Sequence, residues 1–126
     1  MPPDAPKILI AEDNPQQQFK TRELFELCGC CVVEALGGPE AFELALAETP
    51  DMILLDILLP DANGFAVLER LRRHPDLRHI PVLMLSSLSE PADVAKGLAL
   101  GAAGYLSKPA RPQALVSAIR GVLGMS

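Results

Sequence analysis

The 126-residue sequence has no long apolar run. Its longest apolar stretch, residues 52–59, is interrupted by Asp56 and is far shorter than the roughly 20 residues that a membrane-spanning helix needs. The N-terminus also lacks the charged segment followed by an apolar segment that defines a secretory signal peptide. These absences predict a cytoplasmic protein with no membrane partner.

Basic charge and cysteine are both scarce. The chain has 11 Lys and Arg residues against 16 Asp and Glu residues, a formal net charge of -5 at pH 7. Because binding to a nucleic-acid backbone draws on clustered Lys and Arg, this balance argues against direct contact with nucleic acid. Cys28, Cys30 and Cys31 are odd in number and crowded together, which suits neither a disulfide framework nor, without a second cluster of ligands, a zinc site. We interpret them as packed thiols in a reducing compartment.

Length and composition fit one domain. Apolar residues make up 49% and charged residues 21% of the chain, as in globular proteins. Residues 1–6 include three prolines and little to bury, so they are predicted to form a flexible lead-in, with the domain proper spanning residues 7–126.

Short apolar segments alternate with segments of helical periodicity. The run at 52–56 lacks the alternation of a half-exposed strand and is typical of a strand covered on both faces. Strict alternation with short connections predicts an α/β fold, a doubly wound five-stranded parallel sheet joined by right-handed crossovers. The predicted strands are 7–11, 31–35, 52–56, 82–86 and 105–107, and the predicted helices are 15 to near 29, about 40–48, 65–73, 90 to about 100 and 112 to about 123.

The first of these helices carries apolar residues among charged ones, which predicts an amphipathic helix. The apolar positions are Phe19, Leu24, Leu27 and Cys28.

Charged and hydroxyl residues collect where the predicted strands end. Glu12 and Asp13 follow the first strand, Asp56 ends the third, Ser86 ends the fourth and Lys108 follows the fifth. Ligand sites of such folds lie at the carboxyl ends of the strands, so we expect these side chains to meet. Three crowded carboxylates would repel one another unless a cation shared them, and Mg²⁺ prefers oxygen ligands. With a metal and a lysine to neutralise the phosphoryl oxygens, Asp56 is predicted to be a phospho-accepting nucleophile.

This pattern resembles the receiver domains of two-component response regulators over about residues 7–123. The resemblance implies a flavodoxin-like (βα)5 fold with strand order 2-1-3-4-5, like that of chemotaxis-type receivers. It rests on Glu12 and Asp13 after the first strand, Asp56 followed by Pro60 and Gly64, the hydroxyl of Ser86, the aromatic Tyr105, and Lys108 with Pro109.

The resemblance also implies the chemistry of the site. Asp56 would accept a phosphoryl group from a phosphohistidine on a sensor histidine kinase or a histidine phosphotransfer protein. Asp13 and Asp56 would bind Mg²⁺ directly, with Mn²⁺ as an alternative ion. Glu12 would act through water, and the backbone carbonyl of Leu58 would complete the protein's ligands.

A switch is implied as well. Lys108 and Ser86 would bind phosphoryl oxygens, and Tyr105 would follow Ser86 inward. Such a movement would alter the surface around the last two helices, where a downstream protein or an output domain would bind, and phosphorylation-dependent dimerisation is left open. The chain would then be a signalling domain and not an enzyme, although it would assist its own phosphorylation and dephosphorylation.

Other functions share this fold class. A flavin-binding site needs small and hydroxyl residues after the first strand, where Glu12 and Asp13 would repel phosphate without a metal. A magnesium-dependent phosphohydrolase with an aspartyl nucleophile would need a second acid at position 58, which is Leu58. A receiver-like interaction module that works without phosphorylation is the other alternative, favoured over the phosphohydrolase. The resemblance implies that positions 58 and 88 flank the phosphoryl group, and because both are apolar, Leu58 and Leu88 predict a long-lived phosphoryl state.

Overall fold

The computed structural model describes residues 5–125, in which strands and helices alternate strictly. Every predicted element is present, with bounds within two residues of those predicted. The predicted lead-in falls mostly on residues 1–4, outside the described range, and it stays a prediction, as does the domain boundary. The elements are β1 Lys7–Ala11, α1 Pro15–Leu27, β2 Cys31–Ala35, α2 Gly38–Glu48, β3 Met52–Leu55, α3 Gly64–Arg73, β4 Val82–Ser86, α4 Pro91–Ala99, β5 Gly104–Ser107 and α5 Pro112–Leu123.

The strands form one parallel sheet in the order β2-β1-β3-β4-β5. Ile10 of β1 lies between Glu34 of β2 and Leu54 of β3. The predicted doubly wound, flavodoxin-like topology is therefore confirmed. Strand order reverses at β1, so the chain leaves β1 and β3 toward opposite faces and opens a crevice at their carboxyl ends.

The core has two halves, one on each face of the sheet. Ile53 and Leu55 of β3 belong to the half covered by α2 and α3, whereas Leu54 belongs to the half covered by α1 and α5. All four residues of β3 are buried, which explains why this strand is a continuous apolar run. Among residues 5–125, no helix has both the length and the apolar character that crossing a bilayer demands.

The helix predicted after β1 is present, but only part of its apolar set is buried. Phe19 and Leu27 are 64% and 81% exposed, whereas Gln18 and Phe25 are buried against the sheet. The reason is that Gln18 bonds to backbone carbonyl groups at the ends of the strands, so a polar residue occupies a core-facing position. The other two apolar residues of this helix segment, Leu24 and Cys28, are partly buried at the edge of the core.

The loop between β3 and α3 is attached to the N-terminus of α2. Asp61 Oδ1 accepts a hydrogen bond of 2.9 Å from the backbone N–H of Gly38. Gly37, the residue before α2, has no side chain with which to cap the helix, and a Cβ there would lie 2.5 Å from the Asp61 carboxylate. Asp61 therefore caps α2 from a distant part of the chain, and the helix dipole favours its negative charge.

Replacing Asp61 with Ala should lower the free energy of unfolding by about 1 kcal/mol, as expected for loss of a helix cap. Asp61→Asn should lose less stability than Asp61→Ala, because the amide oxygen still accepts the bond and only the charge is lost. Urea denaturation would measure both. Asp76→Ala, at an exposed acid in the loop after α3, is the control. An unchanged urea midpoint in Asp61→Ala would refute the cap.

Candidate functional site

Three carboxylates meet at the carboxyl ends of β1 and β3. One oxygen from each of Glu12, Asp13 and Asp56 lies within 4.8 Å of the others. Glu12 and Asp56 are only 5% and 6% exposed, whereas Asp13 is exposed. No other set of three acidic, His or Cys side chains in the described part of the chain is grouped in this way. A cluster of carboxylate oxygens, two buried and one open to solvent, suits a hard divalent cation such as Mg²⁺ or Mn²⁺.

The sheet itself positions these acids. The backbone N–H of Glu12 donates to Ala35 O at 3.1 Å, and that of Asp56 donates to Ala11 O at 3.1 Å. Both bonds extend the parallel pairing one residue beyond the strands. Asn14 then caps α1, and its own N–H donates to Glu12 Oε1 at 3.1 Å. Glu12 and Asp13 therefore lie on a short, hydrogen-bonded segment between β1 and α1, and Asp56 lies directly after β3.

Lys108 joins the two buried acids. Its Nζ lies 2.5 Å from Glu12 Oε2 and 2.7 Å from Asp56 Oδ2. The backbone N–H of Lys108 donates to Ser86 O at 3.0 Å, which aligns the end of β5 with that of β4, and the Lys108–Pro109 peptide bond is cis. The structure thus brings Lys108, predicted from sequence as the partner of Asp56, into contact with Glu12 as well.

Burial is the largest influence on the pKa of both Glu12 and Lys108. It raises the pKa of Glu12 above its ordinary value, against the opposing bonds from Lys108 and from the Asn14 N–H. Burial acts to lower the pKa of Lys108, but the hydrogen bonds and charges of Asp56 and Glu12 together outweigh it, and the pKa of Lys108 is raised. Lys108 is therefore a firmly held cation at neutral pH.

The raised pKa of Lys108 predicts a dependence of stability on pH. The folded protein holds the lysine proton more tightly than the unfolded chain does. The stabilising contribution of Lys108 is therefore fully present below its ordinary value of 10.5 and is lost as pH rises through the higher folded value. With a chelator present, we expect the urea midpoint to fall over this alkaline range more steeply in the wild type than in Lys108→Met. Parallel pH profiles would contradict the assignment.

Ser86 and Tyr105, the two predicted switch residues, contact the same intervening residue. Ser86 is fully buried, and its Oγ accepts a hydrogen bond of 3.2 Å from the N–H of Leu88. The Tyr105 hydroxyl donates to the carbonyl oxygen of Leu88. A Cβ at Gly97 of α4 would lie 3.1 Å from the Tyr105 ring, so a small residue there leaves room for the aromatic side chain. The loop after β4 therefore links the hydroxyl at the site to the aromatic on β5.

The segment after Asp56 curls back over it. The N–H of Leu58 donates to Asp56 Oδ1 at 3.1 Å, and the Leu58 side chain is 51% exposed. A Cβ at Gly64 would lie 2.4 Å from the carbonyl oxygen of Asp56, so this approach requires glycine. Leu58 thus lies at the edge of the site. The role of its carbonyl as a metal ligand stays a prediction, and so does the effect of the Leu58 and Leu88 side chains on the lifetime of the phosphoryl group.

Reasoning from sequence missed two residues, Gln18 at the strand ends and Asp61 in the loop between β3 and α3. Gln18 precedes Phe25 by seven residues, or two helical turns, so the helical period alone places both on one face. That signal was available. Asp61 gave none, because its bond to Gly38 joins residues 23 positions apart in a loop-to-helix contact.

Comparison with known proteins identifies the family. A sequence model of the response regulator receiver domain matches residues 8–120. The chain belongs to this family. The resemblance inferred from sequence is thereby confirmed, and the family is one of signalling domains. Solved receiver domains are therefore expected to have the same fold as this chain, and they do.

Relatives of this receiver domain occur in different protein contexts. It is 37% identical over 118 residues to the DNA-binding dual master transcriptional regulator RpaA of Synechocystis sp. strain PCC 6803, covering 94% of this chain and 49% of RpaA. It is 33% identical over 117 residues to Protein PilH of Pseudomonas aeruginosa, covering 93% of this chain and 97% of PilH. The signal receiver domain of a signal transduction histidine kinase from Syntrophus aciditrophicus superposes with a TM-score of 0.87 at 36% identity, covering 95% of this chain and 91% of that one. This receiver domain spans about half the length of some curated relatives and nearly all of others.

Proposed function

We propose that this receiver domain accepts a phosphoryl group on Asp56, with Mg²⁺ as cofactor, as the switch of a two-component or phosphorelay pathway. The observation that carries the proposal is the environment of the Asp56 carboxylate. It is nearly buried, one oxygen contacts Lys108 at 2.7 Å, and two further acids lie within 4.8 Å. A carboxylate between a lysine and a cluster of metal-binding oxygens is equipped to attack phosphorus.

The oxygen ligands suit a divalent cation, and each has a proposed part. Asp13, Asp56 and the carbonyl of Leu58 would hold Mg²⁺ directly, and Glu12 would hold it through water. The ion would supply positive charge to the phosphoryl oxygens. Asp13 is the one exposed acid of the three, which keeps part of the site open to solvent and to the donor.

The proposed transfer is a displacement at phosphorus. A carboxylate oxygen of Asp56 forms the bond to phosphorus, and the bond from phosphorus to the imidazole nitrogen of a phosphohistidine breaks. The electron pair of that bond stays on the imidazole. Lys108, whose ammonium contacts Glu12 and Asp56, would neutralise a phosphoryl oxygen on Asp56.

The switch is proposed to act through Leu88. A phosphoryl group on Asp56 would compete for the Ser86 hydroxyl, which accepts the Leu88 N–H in the structure described here. Movement of Leu88 would release the Tyr105 hydroxyl from the Leu88 carbonyl. Because Tyr105 packs on Gly97 of α4, the change would reach the surface formed by α4, β5 and α5.

The partners follow from this chemistry and remain part of the proposal. A sensor histidine kinase or a histidine phosphotransfer protein would donate the phosphoryl group. A downstream protein, an output domain or a second phosphorylated copy would bind the altered surface. Such a pathway would place the protein in the cytoplasm.

The test is phosphoryl uptake from a small phosphodonor, measured by intact mass spectrometry with Mg²⁺ or with a chelator. We expect one label per chain that depends on Mg²⁺ and is lost in alkali, as an acyl phosphate is. Label that forms equally well in chelator would refute the metal's role. Release of phosphate without a labelled protein would favour the phosphohydrolase alternative, and no reaction at all would favour the phosphorylation-independent interaction module.

A further inference from the structure

Gln18 is a polar residue in a position that faces the core. It is 2% exposed on the face of α1 that packs against the sheet. Its Nε2 lies 3.1 Å from Ala35 O, 3.2 Å from Ile10 O and 3.3 Å from Glu12 O. Its Oε1 has no hydrogen-bond partner anywhere in residues 5–125. Burying an unpaired amide oxygen is unfavourable, so an apolar residue would serve the packing of α1 better.

The three carbonyl groups that Gln18 contacts lie where β1 and β2 end. Ala35 O accepts two bonds, one from Gln18 Nε2 and one from the N–H of Glu12. Gln18 also bonds to the carbonyl of Glu12, so the peptide groups on both sides of this residue are held. The chain passes from this point directly to Asp13.

We propose that Gln18 is a positioning residue for the metal site. Gln18 holds the backbone of Glu12 against the strand ends, and it thereby determines the positions of Glu12 and Asp13 relative to Asp56. This inference rests on the proposed function, since it assigns Gln18 a part in the Mg²⁺ affinity of that same site. Outer groups that orient metal ligands contribute about 10-fold to 100-fold to metal affinity.

The test compares Gln18→Met with Phe25→Leu. Methionine keeps the length of the side chain and removes the donor, whereas Phe25→Leu disturbs the core on the same helix two turns away. Binding of Mn²⁺ to the unphosphorylated protein would be measured by electron paramagnetic resonance, competition with Mg²⁺ would be measured in the same samples, and urea denaturation would report stability. We expect Gln18→Met to weaken metal binding about 10-fold, and Phe25→Leu to lower stability with the affinity nearly unchanged.

A second readout does not involve the metal. The amide hydrogen of Glu12, which donates to Ala35 O, should exchange faster in Gln18→Met than in Phe25→Leu at equal global stability. Were Gln18→Met not to fold, Gln18→Asn, which keeps the amide but shortens its reach, gives the same comparison.

The outcomes separate the two proposals. Equal metal affinity in the wild type and Gln18→Met, or an equal loss of affinity in Phe25→Leu, would overturn the positioning role and leave the proposed function standing. A wild-type protein that bound neither Mn²⁺ nor Mg²⁺ would overturn the proposed function and this inference together.

Discussion

Phosphoryl uptake is expected to disappear when Asp56 is replaced with Asn. An amide cannot supply the nucleophilic oxygen, and it has nearly the same shape as the carboxylate. The Asn oxygen can still accept the Leu58 N–H that Asp56 Oδ1 accepts, so the loop after β3 should remain in place. The measurement is the same Mg²⁺-dependent labelling by a small phosphodonor, with the label counted by intact mass. We expect background labelling in Asp56→Asn and full labelling in the wild type.

Two controls make this result specific to Asp56. Asp76→Asn changes an exposed acid outside the cluster and should be labelled like the wild type. Circular dichroism and the urea midpoint of Asp56→Asn should show a folded protein. Labelling of Asp56→Asn at the wild-type rate would contradict the assignment and would move the search for the acceptor to Asp13, the exposed acid of the same cluster.

The fold could be predicted from sequence because its signals are local. Buried parallel strands are short continuous apolar runs, and the β3 run MILL is buried at all four positions. The prolines at 15, 39, 91 and 112 mark helix starts, since proline suits the first turn of a helix. The order of the strands, in contrast, came with the family resemblance, because apolar runs alone do not specify which strands pair.

The sequence predicts which residues meet at the site, but it does not predict which of their atoms are in contact. The rule that ligand sites lie at the carboxyl ends of parallel strands brings together the acids and Lys108, and the structure does place them together. That Lys108 contacts Glu12 as closely as Asp56 depends on side-chain geometry across three strands. The same holds for Gln18, whose partners are backbone carbonyl groups, and these are chemically identical along the whole sequence.

Replacing Lys108 with Met should destabilise the metal-free protein, and Mg²⁺ should restore most of the loss. Without the ammonium, the nearly buried carboxylates of Glu12 and Asp56 face each other with no cation between them. Breaking a buried ion pair from one side costs several kcal/mol, and the partial exposure of Lys108 reduces the expected loss to about 2 kcal/mol. A metal bound by the same acids, as proposed, would stabilise the fold by about 2.7 kcal/mol at a concentration 100 times its dissociation constant.

In the proposed metal site Mg²⁺ would compete with Lys108 for Glu12 and Asp56, so the gain in stability from Mg²⁺ should be larger in Lys108→Met than in the wild type. In the wild type, Mg²⁺ would have to displace the contacts of Lys108 with Glu12 and Asp56 before it gained its own. Urea denaturation of both proteins, in chelator and in Mg²⁺, measures this difference directly. Lys20→Met, at an exposed lysine of α1, is the matched control and should respond to Mg²⁺ as the wild type does. Equal gains from Mg²⁺ in the two proteins would mean that lysine and metal do not share these acids.

The loss of stability in Lys108→Met should also be smaller in acid than at neutral pH. Burial already raises the pKa of Glu12 and the bond from Lys108 opposes it, so Glu12 without that bond takes up a proton more readily as pH falls.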